Sequence, residues 1–134
     1  MSDRDALLFS NEAFYQAFSD RDVDAMDAMW SRDAPCVCIH PGWGALDGRE
    51  EVIRSWTAII SNPDSPRIHS HNATPSVYGG FGLVICFEEI DGQFLIATNV
   101  FVREGSVWKL VHHQAGPTSE APRPEPPEDP GAVH

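Results

Sequence analysis

The chain has 134 residues, the size of one domain, and 42% of them are apolar, so it can bury a real core. A net charge of −11 argues against a nucleic-acid partner, because phosphate contacts need a basic face. No apolar run approaches the ~20 residues that span a bilayer, so no membrane partner is expected.

The first residues, MSDRDALLFSNE, are charged and lack an apolar signal segment, so no export is expected. Ser2 is placed to cap a first helix. Leu7, Phe14 and Phe18 lie on one stripe of it, with Phe9 and Ala13 beside them. Asp20-Arg21-Asp22 interrupts the pattern. A short second helix follows, with Val23, Met26 and Trp30 on its inner side. A short strand over 36–40 comes next. The third helix is expected to start at Asp47, which stands three residues before Glu50 as in a capping box. Val52, Ile53, Trp56, Ile59 and Ile60 form its apolar face, and Asn62-Pro63 ends it.

The period then changes to that of strands, over 67–78, 83–90, 93–103 and 107–114. Gly79-Gly80, Asp91-Gly92 and Glu104-Gly105 separate them, which predicts a four-stranded antiparallel meander. Two-residue turns would make paired residue numbers add to about 183 across Asp91-Gly92 and about 209 across Glu104-Gly105. One face would then hold Val84, Cys86, Leu95, Ala97, Asn99, Phe101, Trp108, Leu110 and His112. The other would hold Ile85, Phe87, Phe94, Ile96, Thr98, Val100, Val102, Val107, Val111 and His113. Both faces are largely apolar, and helices can cover only one. A second copy of the chain is the simplest cover for the other.

Residues 117–134, PTSEAPRPEPPEDPGAVH, hold six of the eleven prolines and no aromatic residue. Four acids against Arg123 give this segment a charge of −3 and leave −8 for residues 1–116. The expectation is a folded domain over 1–116 and an extended, mobile tail. Pro124 and Pro127 make a minimal PxxP in it.

The histidines and cysteines are the candidates for chemistry. His40 ends the run CVCIHPGW, fixed by Pro41, and has three readings: a base at a pocket mouth, a metal ligand, or an ordinary strand-end residue. His69 and His71 share a strand face, but the glutamate that a cupin-like metal site wants is replaced by Pro75 and Ser76. Neither HExxH nor CxxC occurs, so no metal or other cofactor is expected. Cys36 and Cys38 share a strand face as small core residues. Three cysteines make no disulfide framework, and a reducing cytoplasm fits them best.

Three stretches, SDRDVDAMDAMWSRDA, IHPGWGALDGREEVIRSW and NVFVREGSVWKLVHHQAGP, taken in that order, resemble the nuclear transport factor 2-like superfamily. The likeness is nearest to its SnoaL-like and ketosteroid-isomerase-like branch and covers about residues 5–117. The last stretch also resembles the association domain of calcium/calmodulin-dependent kinase II. The resemblance implies an α+β cone, with three N-terminal helices on a curved, mainly antiparallel sheet around a pocket. In ketosteroid isomerases the strand before the capped helix ends in a catalytic aspartate followed by proline, and His40 takes that position. The family's hydrogen-bond-donating tyrosine aligns with Phe14, with Tyr15 one residue off the stripe. A position matching Asn99 carries a cavity-facing arginine in the kinase domain, so an anionic ligand is not implied here.

On this basis Phe14, Trp30, Trp43, Trp56, Asn99, Trp108 and His112 are expected to line the pocket, with His40 as the candidate base. The first functional expectation is a homodimer that binds a small apolar molecule. The missing tyrosine and the lack of a second inward carboxylate favour it. The alternatives are a proton-transfer enzyme or hydrolase for an apolar carbonyl or polyketide-like substrate, and an oligomeric assembly domain.

Overall fold

The computed structural model describes residues 1–124, and the second proline of the PxxP motif lies outside that range. Three helices come first among the long elements: α1 (Asp3–Ser19), α2 (Val23–Met29) and α3 (Arg49–Ser61). Six strands complete the domain: β1 (Val37–Ile39), β2 (Leu46–Asp47), β3 (His69–Tyr78), β4 (Phe81–Ile90), β5 (Gln93–Glu104) and β6 (Val107–Pro117). They form one sheet in the order β2-β1-β6-β5-β4-β3. Among these described strands β1 and β6 run parallel and the other neighbouring pairs antiparallel. The three helices pack on one face of this mixed sheet, which is the expected α+β architecture. No helix among the described residues is long and apolar enough to cross a membrane.

Local chemistry explains most of the boundaries. Ser2 caps α1 by accepting from the Asp5 N–H, and Asp22 caps α2 by accepting from Ala25. The capping box expected at Asp47 does not form. Asp47 pairs in β2, and Gly48, at φ 100°, precedes α3 without a side-chain cap. That φ is open to glycine and strained for other residues. Arg21 does more than interrupt a pattern. Its guanidinium donates to the carbonyls of Ile60 (3.0 Å), Asn62 (2.8 Å) and Ser65 (2.8 Å), so it closes the C-terminus of α3 and holds the chain after it.

The turn at Asp91-Gly92 has the expected register, with Ile90 opposite Gln93 and Phe81 opposite Val102. The next turn is Gly105-Ser106 instead of Glu104-Gly105, and Glu104 pairs with Val107. That slip of two residues keeps each side chain on its face. Between Val100 and Phe101 the register slips once more, by one residue, because the bulge inserts Val111 between Leu110 and His112. Up to Leu110 the inner face is as expected. Beyond it the faces exchange: His113 and Ala115 turn inward, and His112 stays half-buried outside.

The core runs along the inner face. Leu7, Phe14, Met26, Trp30, Val52, Val84, Phe101, Trp108 and Leu110 are all buried. Gly82 lets α1 approach β4 closely, since a Cβ there would lie 2.8 Å from Leu7 Cδ2. The start of the segment expected to be mobile is held back on the sheet. Arg123 N–H donates to Asn72 Oδ1 (2.7 Å), and Asn72 Nδ2 donates to the Arg123 carbonyl (3.1 Å).

Candidate functional site

At one end of the domain, α1, α3 and the inner face of the sheet spread apart around a cavity of about 350 Å³. Phe18, Trp43, Trp56, Ile59, Ile68 and Ile90 make its walls mostly apolar, and His40, Glu88 and His113 supply the titratable groups. The loop after α3, fixed by Arg21, contributes Ser65 and Pro66.

His40 leaves β1 on the inner side and is 4% exposed. Its Nε2 lies 2.8 Å from Ser55 Oγ. The Ser55 hydroxyl also lies 2.7 Å from the Val52 carbonyl, and when it donates there it accepts from His40; the Cys38 thiol stands 3.8 Å from the same Nε2. That arrangement puts the proton of a neutral His40 on Nε2 and leaves Nδ1, which has no hydrogen-bond partner among the described residues, with the lone pair. Trp43 and Trp56 flank the ring edge-on, with centroids 4.8 and 4.6 Å away. Burial lowers the His40 pKa to about 4, so the imidazole is neutral at pH 7.

Opposite, a buried polar network fixes the second imidazole. Asn99 Nδ2 donates to Asn11 Oδ1 (2.9 Å) and to the Tyr15 hydroxyl (3.1 Å). Asn99 Oδ1 is then left as acceptor, and His113 Nδ1–H donates to it at 2.5 Å. His113 Nε2 carries the lone pair and lies 3.9 Å from Glu88 Oε2. Burial, with smaller contributions from His40 and His112, lowers the His113 pKa to about 3. With a neutral imidazole the contact to Glu88 is not an ion pair.

Glu88 is 2% exposed and projects inward from β4 beside Val84 and Cys86. Tyr15 donates its hydroxyl hydrogen to Glu88 Oε2 (2.6 Å). Burial raises the Glu88 pKa to about 6, against the stabilising Tyr15 bond. Burial, then the Glu88 charge, pushes the Tyr15 phenol well above its usual range, so it stays protonated. Cys38 is raised to about 12 and Cys86 to about 11, both by burial, so neither supplies a thiolate at neutral pH.

The structure thus brings together His40, Trp43 and Trp56 from the residues singled out in the sequence. The others stand elsewhere. Phe14 packs behind the wall against Trp56 and His113. Asn99 lies beneath His113 in the polar network. Trp30 and Trp108 belong to the closed end of the core. His112 binds the Val37 carbonyl through Nδ1, on the far side of β6. The bulge at Val111 exchanged the two histidines.

Tyr15 and Glu88 were missed, and both left a signal, whereas the sequence left open which of His112 and His113 faces the pocket. Glu88 has the parity of Val84 and Cys86. Asn11 and Tyr15 are four residues apart, which widens the α1 stripe with polar groups. Glu88 is the inward carboxylate whose lack was an argument against catalysis, while Tyr15 faces inward but gives its hydrogen to Glu88 instead of to the cavity.

A second, shallower cavity of about 430 Å³ lies across Tyr15, lined by Glu12, Arg67, His69 and His71 among others. There His71 Nε2 contacts Glu89 Oε1 at 2.9 Å. No cluster of three or more metal-ligating side chains occurs among the described residues.

Residues 9–119 match the family model of the SnoaL-like domain. A solved structure from Streptomyces avermitilis, a proposed dehydratase of the NTF2-like family, is 32% identical, with a TM-score of 0.80, covering 88% of this chain and 97% of its own. A proposed calcium/calmodulin-dependent protein kinase type II association domain from Thiobacillus denitrificans is 31% identical, with a TM-score of 0.74, covering 82% and 93%. The F-box protein SKIP8 of Arabidopsis thaliana is 26% identical over 112 residues, or 82% of this chain, which spans about half the length of that relative (48%).

Proposed function

The chain belongs to the SnoaL-like domain family, and from that premise we propose that it is a proton-transfer enzyme for a small, largely apolar molecule. Elimination of water from a hydroxylated carbonyl compound fits its groups best. The observation that carries this reading is the locked tautomer of His40. With Nε2–H held by Ser55, Nδ1 is the free nitrogen of a ring that lines the same cavity as Glu88.

In this reaction His40 Nδ1 takes a proton from the carbon beside the carbonyl. The carboxyl of Glu88 gives a proton to the departing hydroxyl, which leaves as water. A proton then returns from His40 to Glu88 by way of solvent. A pKa near 6 lets Glu88 hold that proton in a fraction of molecules at neutral pH, and a ligand that expels water raises the fraction. The 32% identity to a proposed dehydratase supports the same reaction class.

A panel of β-hydroxy ketones and thioesters, followed by absorbance of the conjugated product, tests the reading. His40→Ala should lower kcat/KM about 10²-fold or more. If the wild-type chain binds such compounds yet neither dehydrates them nor exchanges their α-hydrogen in D2O, the reading is wrong and a binding protein remains.

A homodimer is the second part of the proposal. The outer sheet face presents Leu83, Ile85, Phe87, Ile96, Val100 and Val107 in one apolar field, with Ile96 37% and Val107 47% exposed. A contiguous apolar field on a sheet face marks an interaction surface. The likeness to a proposed kinase association domain supports assembly through this domain. Ile96→Glu should halve the sedimenting mass at micromolar concentration, and a wild-type monomer would refute the dimer. Three buried free thiols fit a reducing compartment, and we infer the cytoplasm.

A further inference from the structure

Most of the hydrogen-bond donors around the cavity already have partners. The His40 Nε2–H goes to Ser55, and the His113 Nδ1–H to Asn99. Tyr15 gives its hydrogen to Glu88, and the Ser65 hydroxyl gives its own to the Ile59 carbonyl. Two lining residues, Pro41 and Pro66, have no backbone N–H, and the Trp43 N–H donates to the His40 carbonyl. The Trp56 indole N–H is buried, with no solvent-accessible surface to speak of and no hydrogen-bond partner among the described residues. The remaining side-chain donor is the indole of Trp43, a residue 50% exposed.

What the interior offers instead at neutral pH is lone pairs: Nδ1 of His40 in the tautomer held by Ser55, Nε2 of His113 and, in its ionised form, the carboxylate of Glu88. No lysine or arginine lines the cavity. A buried acceptor that meets no donor loses its hydration without compensation, so such a site selects by what the ligand donates.

We propose that this cavity recognises a neutral, apolar ligand that brings its own hydrogen-bond donors, a hydroxylated compound being the class. Carboxylates and phosphates are rejected, as are ethers and ketones of the same shape that carry no hydroxyl. This specificity rests on the reading of the cavity as a small-molecule site, but not on turnover there. It adds to that reading which end of the substrate is held: the hydroxyl, by the imidazole and carboxylate acceptors, while the aromatic and aliphatic walls take the rest.

Titration calorimetry at about pH 7 with 2-naphthol, 2-methoxynaphthalene and 2-naphthoate tests it on the full chain. The naphthol should bind at least about tenfold more tightly than its methyl ether, and the naphthoate should be the weakest of the three. His40→Ala removes one acceptor and should cut the preference of naphthol over ether to about threefold or less. Glu88→Gln replaces one acceptor oxygen by a donor and should narrow it as well, with Tyr15 still bonded. An ether that binds as well as the alcohol, a naphthoate that binds best, or no binding by any of the three overturns the proposal. An alcohol preference in a protein without dehydration activity would refute the catalytic reading and leave this one standing.

Discussion

The two ends of the inner sheet face are built from the same strands and behave differently. At the closed end, Leu110 of β6 pairs with Phe101 of β5 and bridges to Trp30, and Trp108 and Leu7 are buried in the same apolar cluster, with the buried Ser31 bonded to the Leu110 carbonyl and to Glu104. At the open end, His113 and Ala115 of β6 meet Asn99 and Ala97, next to Glu88. One inserted residue, Val111, separates them. The bulge ends the packed core and re-aims the strand, so that an imidazole enters the interior where His112 would otherwise have pointed. Close packing stabilises the first end. The second gives up packing volume and buries titratable groups, which is the usual cost of a site.

The largest effect should come from opening the closed end. Trp108→Ala removes a side chain that is 2% exposed and stacked under the Arg103 guanidinium, and should cost about 3–5 kcal/mol in urea unfolding. His40→Ala at the other end should cost far less. Equal losses would erase the distinction.

Asn99→Leu attacks the network beneath the cavity. It leaves Asn11 Oδ1 and His113 Nδ1 without their partner and removes the bond that the Tyr15 hydroxyl accepts, so a loss of about 2–3 kcal/mol is expected, together with a His113 ring free to change tautomer. Denaturant unfolding and imidazole NMR would check both parts.

Glu88→Gln should do the opposite and stabilise the protein at alkaline pH. The folded-state pKa of about 6 lies above the ordinary 4.5, so the folded chain holds a proton that the unfolded chain has released. Above about pH 6 the ionised carboxylate therefore opposes folding by roughly 2 kcal/mol, and below about 4.5 the penalty vanishes. The variant should melt higher than the wild type at pH 8 and nearly with it at pH 4.5. A constant difference across that range would show that Glu88 does not titrate as described.

Arg21→Met is the mildest test. It removes the clamp on the Ile60, Asn62 and Ser65 carbonyls, costs about 1 kcal/mol, and loosens the Ser65–Pro66 wall. Ligand affinity should fall more than stability does.

The architecture was legible because strong local signals agreed. Asp91-Gly92 gave the β4–β5 register, and the apolar repeat from Val52 to Ile60 gave α3. The slip at Val111 was not legible. Val100, Phe101, Leu110 and Val111 are all apolar, so either register buries similar surface, and the two histidines that follow fit both faces. Half of the site depends on that one residue. Glu88 was legible by parity, but a carboxylate inside an apolar strand runs against burial preference until Tyr15 is seen beside it. Tyr15 in turn gains its meaning from Asn99, 84 residues away in sequence. Networks of this kind are set by tertiary contact and leave no periodic trace.

The central claim is that two neutral imidazoles are locked in opposite tautomers. Long-range proton–nitrogen NMR of the six histidines between about pH 4 and pH 8 tests it most directly. His40 should carry its proton on Nε2 and titrate only near pH 4, while His113 should carry its own on Nδ1 and stay neutral through the range. If His40 instead holds its proton on Nδ1, or both rings titrate near the ordinary value of about 6.5, the cavity has no free base and the account fails.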